Sequence, residues 1–88
     1  MSAQPNKVAL VTGGASGIGL GITRRLARDG AAVGIVDFDP LALEQTVRQF
    51  QSDGHGVHGV LADVGVASDV ERAIQEIEGA LGPVGLRR

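Results

Sequence analysis

Short apolar runs alternate with longer stretches of helical period along this chain. Val8-Ala9-Leu10-Val11 is apolar at every position and is closed by Thr12-Gly13-Gly14. A run of strand length without polar alternation predicts a strand covered on both faces, as in a parallel sheet. From Gly17 the period lengthens. Ile18, Ile22 and Leu26 recur every four residues while Arg24, Arg25, Arg28 and Asp29 fall elsewhere, the pattern of an amphipathic helix. Gly30 suits its left-handed C-terminal cap. Gly21 inside that helix should cost about 0.5–1 kcal/mol relative to alanine, so close packing of helix on sheet is expected there.

The pattern then repeats. Ala32-Val33-Gly34-Ile35-Val36 is a second apolar run, and it ends on Asp37. Asp39 suits a helix N-cap and Pro40 a first helical residue, whose missing N–H is not needed there. Leu43, Val47 and Phe50 form the apolar stripe of this second helix, which should end before Gly54. Residues 57–62 predict a third strand closed by Asp63. Ser68 and Glu71 have the spacing of a capping box, and Val70, Ile74, Ile77 and Leu81 give the stripe of a third helix, stopped by Gly82-Pro83. A fourth strand begins at Val84-Gly85-Leu86. Regular alternation of strand and helix means right-handed crossovers and a parallel sheet with helices on its faces. The expected fold is therefore α/β, a partial Rossmann arrangement: a doubly wound parallel sheet, βαβαβα with an incipient fourth strand. Residues 1–88 read as one incomplete domain of this kind.

Composition narrows the partners. With 88 residues, 43% of them hydrophobic, there is material for one small core. A net charge of −2 offers no basic field, so no nucleic-acid partner is expected. There is no cysteine, hence no disulfide and no thiolate metal site, which suits a reducing, cytoplasmic setting. The first seven residues lack the layout of a secretory signal, and the longest apolar run is far too short to span a bilayer, so no membrane partner is expected. His55 and His58 lie three apart in a glycine-rich stretch. A metal site needs three or four convergent ligands, and a solvated loop leading into a strand is the reading favoured for this pair.

The candidate chemistry lies in residues 12–19, Thr12-Gly13-Gly14-Ala15-Ser16-Gly17-Ile18-Gly19, between the first strand and the first helix. A helix N-terminus there offers unpaired N–H groups and the positive end of the macrodipole, and glycines let the backbone approach a pyrophosphate closely. Open α/β sheets bind nucleotides at this place. Asp37 stands 18 residues after Gly19 at the end of the second strand. A carboxylate there can accept from both adenosine ribose hydroxyls and would repel a 2′-phosphate. Ser16 and Phe38, the positions where a cation for that phosphate would be sought, are neutral. NAD is thus expected over NADP. The other use of such an aspartate is to cap the following turn, and the same alternative holds for Asp63.

The spacing Thr-Gly-x-x-x-Gly-x-Gly, filled by Thr12, Gly13, Gly17 and Gly19, resembles the cofactor signature of the short-chain dehydrogenase/reductase family, and the likeness extends from about Lys7 to Val84. The resemblance implies that Ser16 and Ile18 also contact the cofactor, Ile18 through its main chain, and that Asp63-Val64 holds the adenine ring. It implies an NAD-dependent oxidoreductase acting on alcohols and ketones, and a homo-oligomeric parent enzyme. The family continues into an Asn-Asn-Ala-Gly segment, a catalytic serine and a Tyr-x-x-x-Lys pair. The 88 residues contain no tyrosine, and their one lysine, Lys7, belongs to the first strand. No catalytic residue is therefore assigned, and activity of this chain alone is not expected. Two readings follow. The favoured one is the N-terminal NAD-binding part of a short-chain dehydrogenase, cut short before its catalytic residues by a gene break, frameshift or partial sequence; the other is a non-catalytic nucleotide-binding or protein-interaction module. Shortening after the third helix is expected to leave the first strand as an exposed apolar edge.

Overall fold

The computed structural model describes residues 7–87, with side chains through Gly85. The apolar runs form strands and the longer-period stretches form helices, in the order β1 (Val8–Thr12), α1 (Gly17–Arg28), β2 (Ala32–Asp37), α2 (Pro40–Ser52), β3 (Val57–Leu61), α3 (Ala67–Leu81) and β4 (Val84–Arg87). The four strands make one parallel sheet in the order β3-β2-β1-β4. The change of direction between β2 and β4 on either side of β1 puts a crevice above the C-terminal end of β1.

Unbroken apolar strands are explained by two cores. Alternate residues of a strand point to opposite faces. Ala9, Val11, Val33, Ile35 and Val57 pack with Leu26 and Ala27 of α1 and Leu43 and Phe50 of α2. Val8, Leu10, Val36 and Val60 pack on the other face with Ala73 and Ile77 of α3. β1, β2 and β3 are thus each covered on both sides. Two strand glycines let the helices come close. A Cβ on Gly34 would sit 2.6 Å from the Ile77 side chain, and one on Gly59 would sit 2.6 Å from Val47 and 3.0 Å from Leu43.

Several local expectations are corrected. β1 is not an edge: β4 pairs with it, Val8 opposite Val84 and Ala9 opposite Leu86, with Gly85 taken up as an irregularity. The edges are β3 and β4. In α1 the buried side is Thr23, Leu26 and Ala27, with Leu20 and Ile22 partly covered; Ile18 is 86% exposed and leaves the stripe. Gly21 does not touch the sheet, and a Cβ there would meet open space. The close approach belongs instead to Gly14 and Gly19.

The third helix also starts differently. Its N-cap is Val66, with no side-chain cap bond, so Ser68 lies inside the first turn and the Ser68–Glu71 box does not form. The helix thus starts two residues earlier, and within its first turn the Asp69 carboxylate accepts from Asp63 N at 3.0 Å. Two further acids of this helix have partners: Glu76 meets His58 Nε2 at 2.9 Å, and Glu78 accepts from Val84 N at 3.0 Å, which ties α3 to β4. His55 packs its ring on Phe50, centroids 5.9 Å apart, so the two histidines serve different neighbours. Among the described residues no three His, Cys, Asp or Glu side chains gather as metal ligands, and no helix is long and apolar enough to cross a membrane.

Candidate functional site

The C-terminal ends of β1, β2 and β3 carry all ten residues singled out in the sequence. Thr12 ends β1, opposite Val36 of β2. The chain then turns through Gly13, with φ of 65°, and reaches α1 through Gly17, with φ of 56°. Both values lie in the left-handed region, which glycine enters without a Cβ penalty. Neither position is crowded, so these two glycines serve backbone direction. Gly19 is different. A Cβ on it would fall on the Gly13 carbonyl, 2.6 Å from the carbonyl carbon and closer still to the oxygen. Only glycine lets the first turn of α1 pass this close to the end of β1.

The turn is pinned from within. Gly13 N donates to Val36 O at 2.7 Å, and Gly14 N reaches the same oxygen at 3.4 Å. The buried Thr23 hydroxyl lies 3.1 Å from Gly14 O and 3.0 Å from Gly19 O, its one proton serving both. Ala15 N donates to Asp37 Oδ2 at 3.1 Å, and Ala15 O accepts from the Thr46 hydroxyl at 3.3 Å. Beyond Ala15 the picture reverses. Ser16 is the N-cap of α1, extended at φ −154° and ψ 156°, and its side chain makes no cap bond. The N–H of Ser16 closes the turn over residues 13–15, while among the described residues the N–H groups of Gly17, Ile18 and Gly19 find no protein acceptor. Three donors in a row at the positive end of a helix can bind a diphosphate.

Asp37 is brought directly to this turn. It is only 5% exposed, and each carboxylate oxygen takes one backbone N–H: Oδ2 that of Ala15, Oδ1 that of Asp39 at 3.1 Å. Of the two uses weighed for it, the turn cap is seen directly, in the bond from Asp39 N. An ionised carboxylate has about four acceptor sites, so one on each oxygen remains. Phe38 follows with its ring 79% exposed.

Asp63 stands one strand further out, after β3. Its Oδ1 accepts from Gly65 N at 2.9 Å, so it also caps its own turn. It is joined to Asp37 through the sheet, Ala62 N donating to Asp37 O at 3.0 Å. Val64 is 55% exposed. Ile18, Phe38 and Val64 thus leave three large apolar side chains uncovered on loops that leave the same end of the sheet. A hollow of about 490 Å³ lies elsewhere, between α2 and the β3 edge, lined by Pro40, Leu43, Val47, His58 and Leu61 among others. It holds none of the turn's donors and is an open flank of the sheet.

Sequence reasoning missed Gly14, Ala15, Thr23 and Thr46. Gly14 leaves a trace, being a glycine in a position the spacing leaves open; a Cβ there would come within 2.9 Å of Thr23 Oγ1 and 3.0 Å of Ile35. The threonines leave none, because their partners lie 9 and 31 residues away.

A parallel sheet with a glycine turn, an uncapped helix and an acid at the second strand end defines a nucleotide-binding α/β protein of the Rossmann type. Comparison narrows the class: the pattern of the short chain dehydrogenase family matches residues 7–86, and the chain belongs to that family. It is 40% identical over 81 residues to the (2S)-[(R)-hydroxy(phenyl)methyl]succinyl-CoA dehydrogenase subunit BbsD of Thauera aromatica, covering 92% of this chain and 33% of that protein. Against dehydrogenase/reductase SDR family member 4 of Sus scrofa the identity is 46% over 69 residues, 78% of this chain and 25% of the relative. A short-chain dehydrogenase/reductase from Burkholderia phymatum, solved in complex with NAD, superimposes with a TM-score of 0.91 at 32% identity over 94% of this chain and 30% of its own. A blue fluorescent protein from a metagenomic library, in complex with NADPH, gives 0.88 at 32% identity, again over 94% of this chain and 35% of its own. The chain spans about a third or less of the length of these relatives.

Proposed function

We propose that these residues are the NAD-binding part of an oxidoreductase that interconverts an alcohol and a ketone, and that they select NAD over NADP. The carrying observation is the position of Asp37. Its carboxylate is bonded to the turn at Ala15, so it stands beside the three free donors with one acceptor site per oxygen unspent. Ribose hydroxyls would take those sites. A 2′-phosphate would place a dianion against a carboxylate, and the adjoining Ser16 and Phe38 supply no cation to offset it.

The residues fit the rest of a dinucleotide. The N–H groups of Gly17, Ile18 and Gly19 would hold the pyrophosphate together with the Ser16 hydroxyl, which makes no cap bond, and Thr12 and Gly13 would shape the approach. Asp63 would accept from the adenine amine, while Val64 and Phe38 would flank the ring. When bound, the cofactor supplies the hydride acceptor or donor. There is no tyrosine among these 88 residues, and none of them is assigned the proton transfer. The complex of the Burkholderia phymatum relative with NAD and that of the metagenomic relative with NADPH both support the cofactor class, and the choice of NAD within it rests on Asp37. A cytoplasmic, homo-oligomeric enzyme is the setting proposed for the whole protein.

Calorimetric titration of NAD and NADP into the wild type and Asp37→Ala tests this. Because the change also orphans Ala15 N and Asp39 N, both cofactors should bind the variant more weakly, NAD by far the more, so that the preference for NAD falls about tenfold or further. An unchanged ratio of the two affinities would remove Asp37 from the ribose.

A further inference from the structure

Ala15 is held by two different elements. Its N–H goes to Asp37 of β2 and its carbonyl to Thr46 of α2. Thr46 sits inside α2 and is 8% exposed. A threonine inside a helix commonly bonds back to a carbonyl of the preceding turn; this one reaches across to a residue 31 positions earlier. The helix that carries it is itself fixed to Asp37, whose Oδ1 accepts from Asp39 N, and Asp39 caps α2 through Leu41 N and Ala42 N. A closed ring of contacts results: Asp37, Ala15, Thr46, α2, Asp39 and back to Asp37.

The carbonyl of Ala15 and the N–H of Ser16 belong to one planar trans peptide, so they point in opposite directions. Holding the carbonyl toward buried Thr46 aims the Ser16 N–H away from the core and back into the turn over residues 13–15, which leads to the free donors of Gly17, Ile18 and Gly19. We infer that Thr46 is a positioning residue for the pyrophosphate of a bound dinucleotide: it acts through the Ala15–Ser16 peptide plane and does not touch the ligand. The inference rests on the cofactor reading above. Without the hydroxyl, the plane is free to rotate about its flanking bonds and the turn that presents the donors of Gly17, Ile18 and Gly19 loses its direction.

The test uses the full chain as wild type, Thr46→Val and Thr46→Ser, titrated with ADP-ribose, which carries the pyrophosphate, and with adenosine, which does not. Thr46→Val should weaken ADP-ribose about fivefold, the worth of one hydrogen bond, and leave adenosine unchanged; Thr46→Ser should restore ADP-ribose to within about twofold of wild type. Equal ADP-ribose affinity in Thr46→Val and wild type would overturn the inference alone, as would equal losses for both compounds. A wild type that binds neither would overturn the cofactor reading first. A second readout separates positioning from general loosening. By NMR, the Ser16 amide in Thr46→Val should lose order while the strands keep theirs; unchanged order at Ser16, or loss spread over the whole sheet, would sink the proposal.

Discussion

Helices α1 and α2 begin at the same end of the sheet, each just after a parallel strand, yet their first turns are finished in opposite ways. In α2, the Asp39 carboxylate accepts from Leu41 N at 3.1 Å and Ala42 N at 3.2 Å, and Pro40 has no N–H to satisfy. In α1, Ser16 makes no side-chain cap bond, no acid occupies the first turn, and the donors stay open. A side-chain cap contributes about 1 kcal/mol, and α1 forgoes it although Ser16 is a residue type that could supply it. The lesson is that the two helix ends are finished differently. The end of α2 is completed by its own sequence, and the end of α1 keeps its donors unspent.

Three substitutions would break or sharpen that contrast. The largest effect is expected from Gly19→Ala, whose Cβ lands on the Gly13 carbonyl and forces the turn to be rebuilt; NAD affinity measured by calorimetry should fall about 100-fold or more. Retention within tenfold would mean that the turn is not the cofactor's seat. Next comes Ser16→Asp, which gives α1 the cap that α2 already has. Unfolding in urea should show the chain about 0.5–1 kcal/mol more stable, while NAD binds about tenfold more weakly because the new carboxylate occupies the donors. Stability and affinity rising together would contradict the account. The smallest effect is that of Asp39→Ala, which should cost about 1 kcal/mol in the same unfolding measurement and leave NAD affinity within about twofold. A large loss of affinity would show that the cap of α2 and the donors of α1 are not separate.

Much of the fold was legible because periodicity reports burial. Val8-Ala9-Leu10-Val11 has no polar position since α1 and α2 cover one face and α3 the other, and the caps at Asp39 and Pro40 work through neighbours two or three residues away. The readings that failed depended on distant partners. Gly21 and Gly19 look alike in a string of residues, but only Gly19 meets another backbone. Ser68 and Glu71 have the spacing of a capping box, but Asp69 is drawn to Asp63 N and the helix starts ahead of them. The edge role given to β1 was wrong because Val84–Arg87 is long enough to pair with it. In the site, the glycines and acids announce themselves by type. Thr23 and Thr46 do not, because a buried threonine reads in sequence as an ordinary polar position of a helix.

The contact of Gly34 with Ile77 sets the position of α3 as well as its distance. Ile77 is fully buried, and its branched side chain fills the gap that the missing Cβ of Gly34 leaves in the sheet. A knob seated in a notch resists sliding as well as separation, so α3 is indexed along β2 and cannot shift by a turn without lifting off. Its first turn carries Asp69, which holds the backbone of Asp63. The far wall of the crevice is therefore located by a peg and socket in the middle of the sheet, well away from any atom a nucleotide would touch.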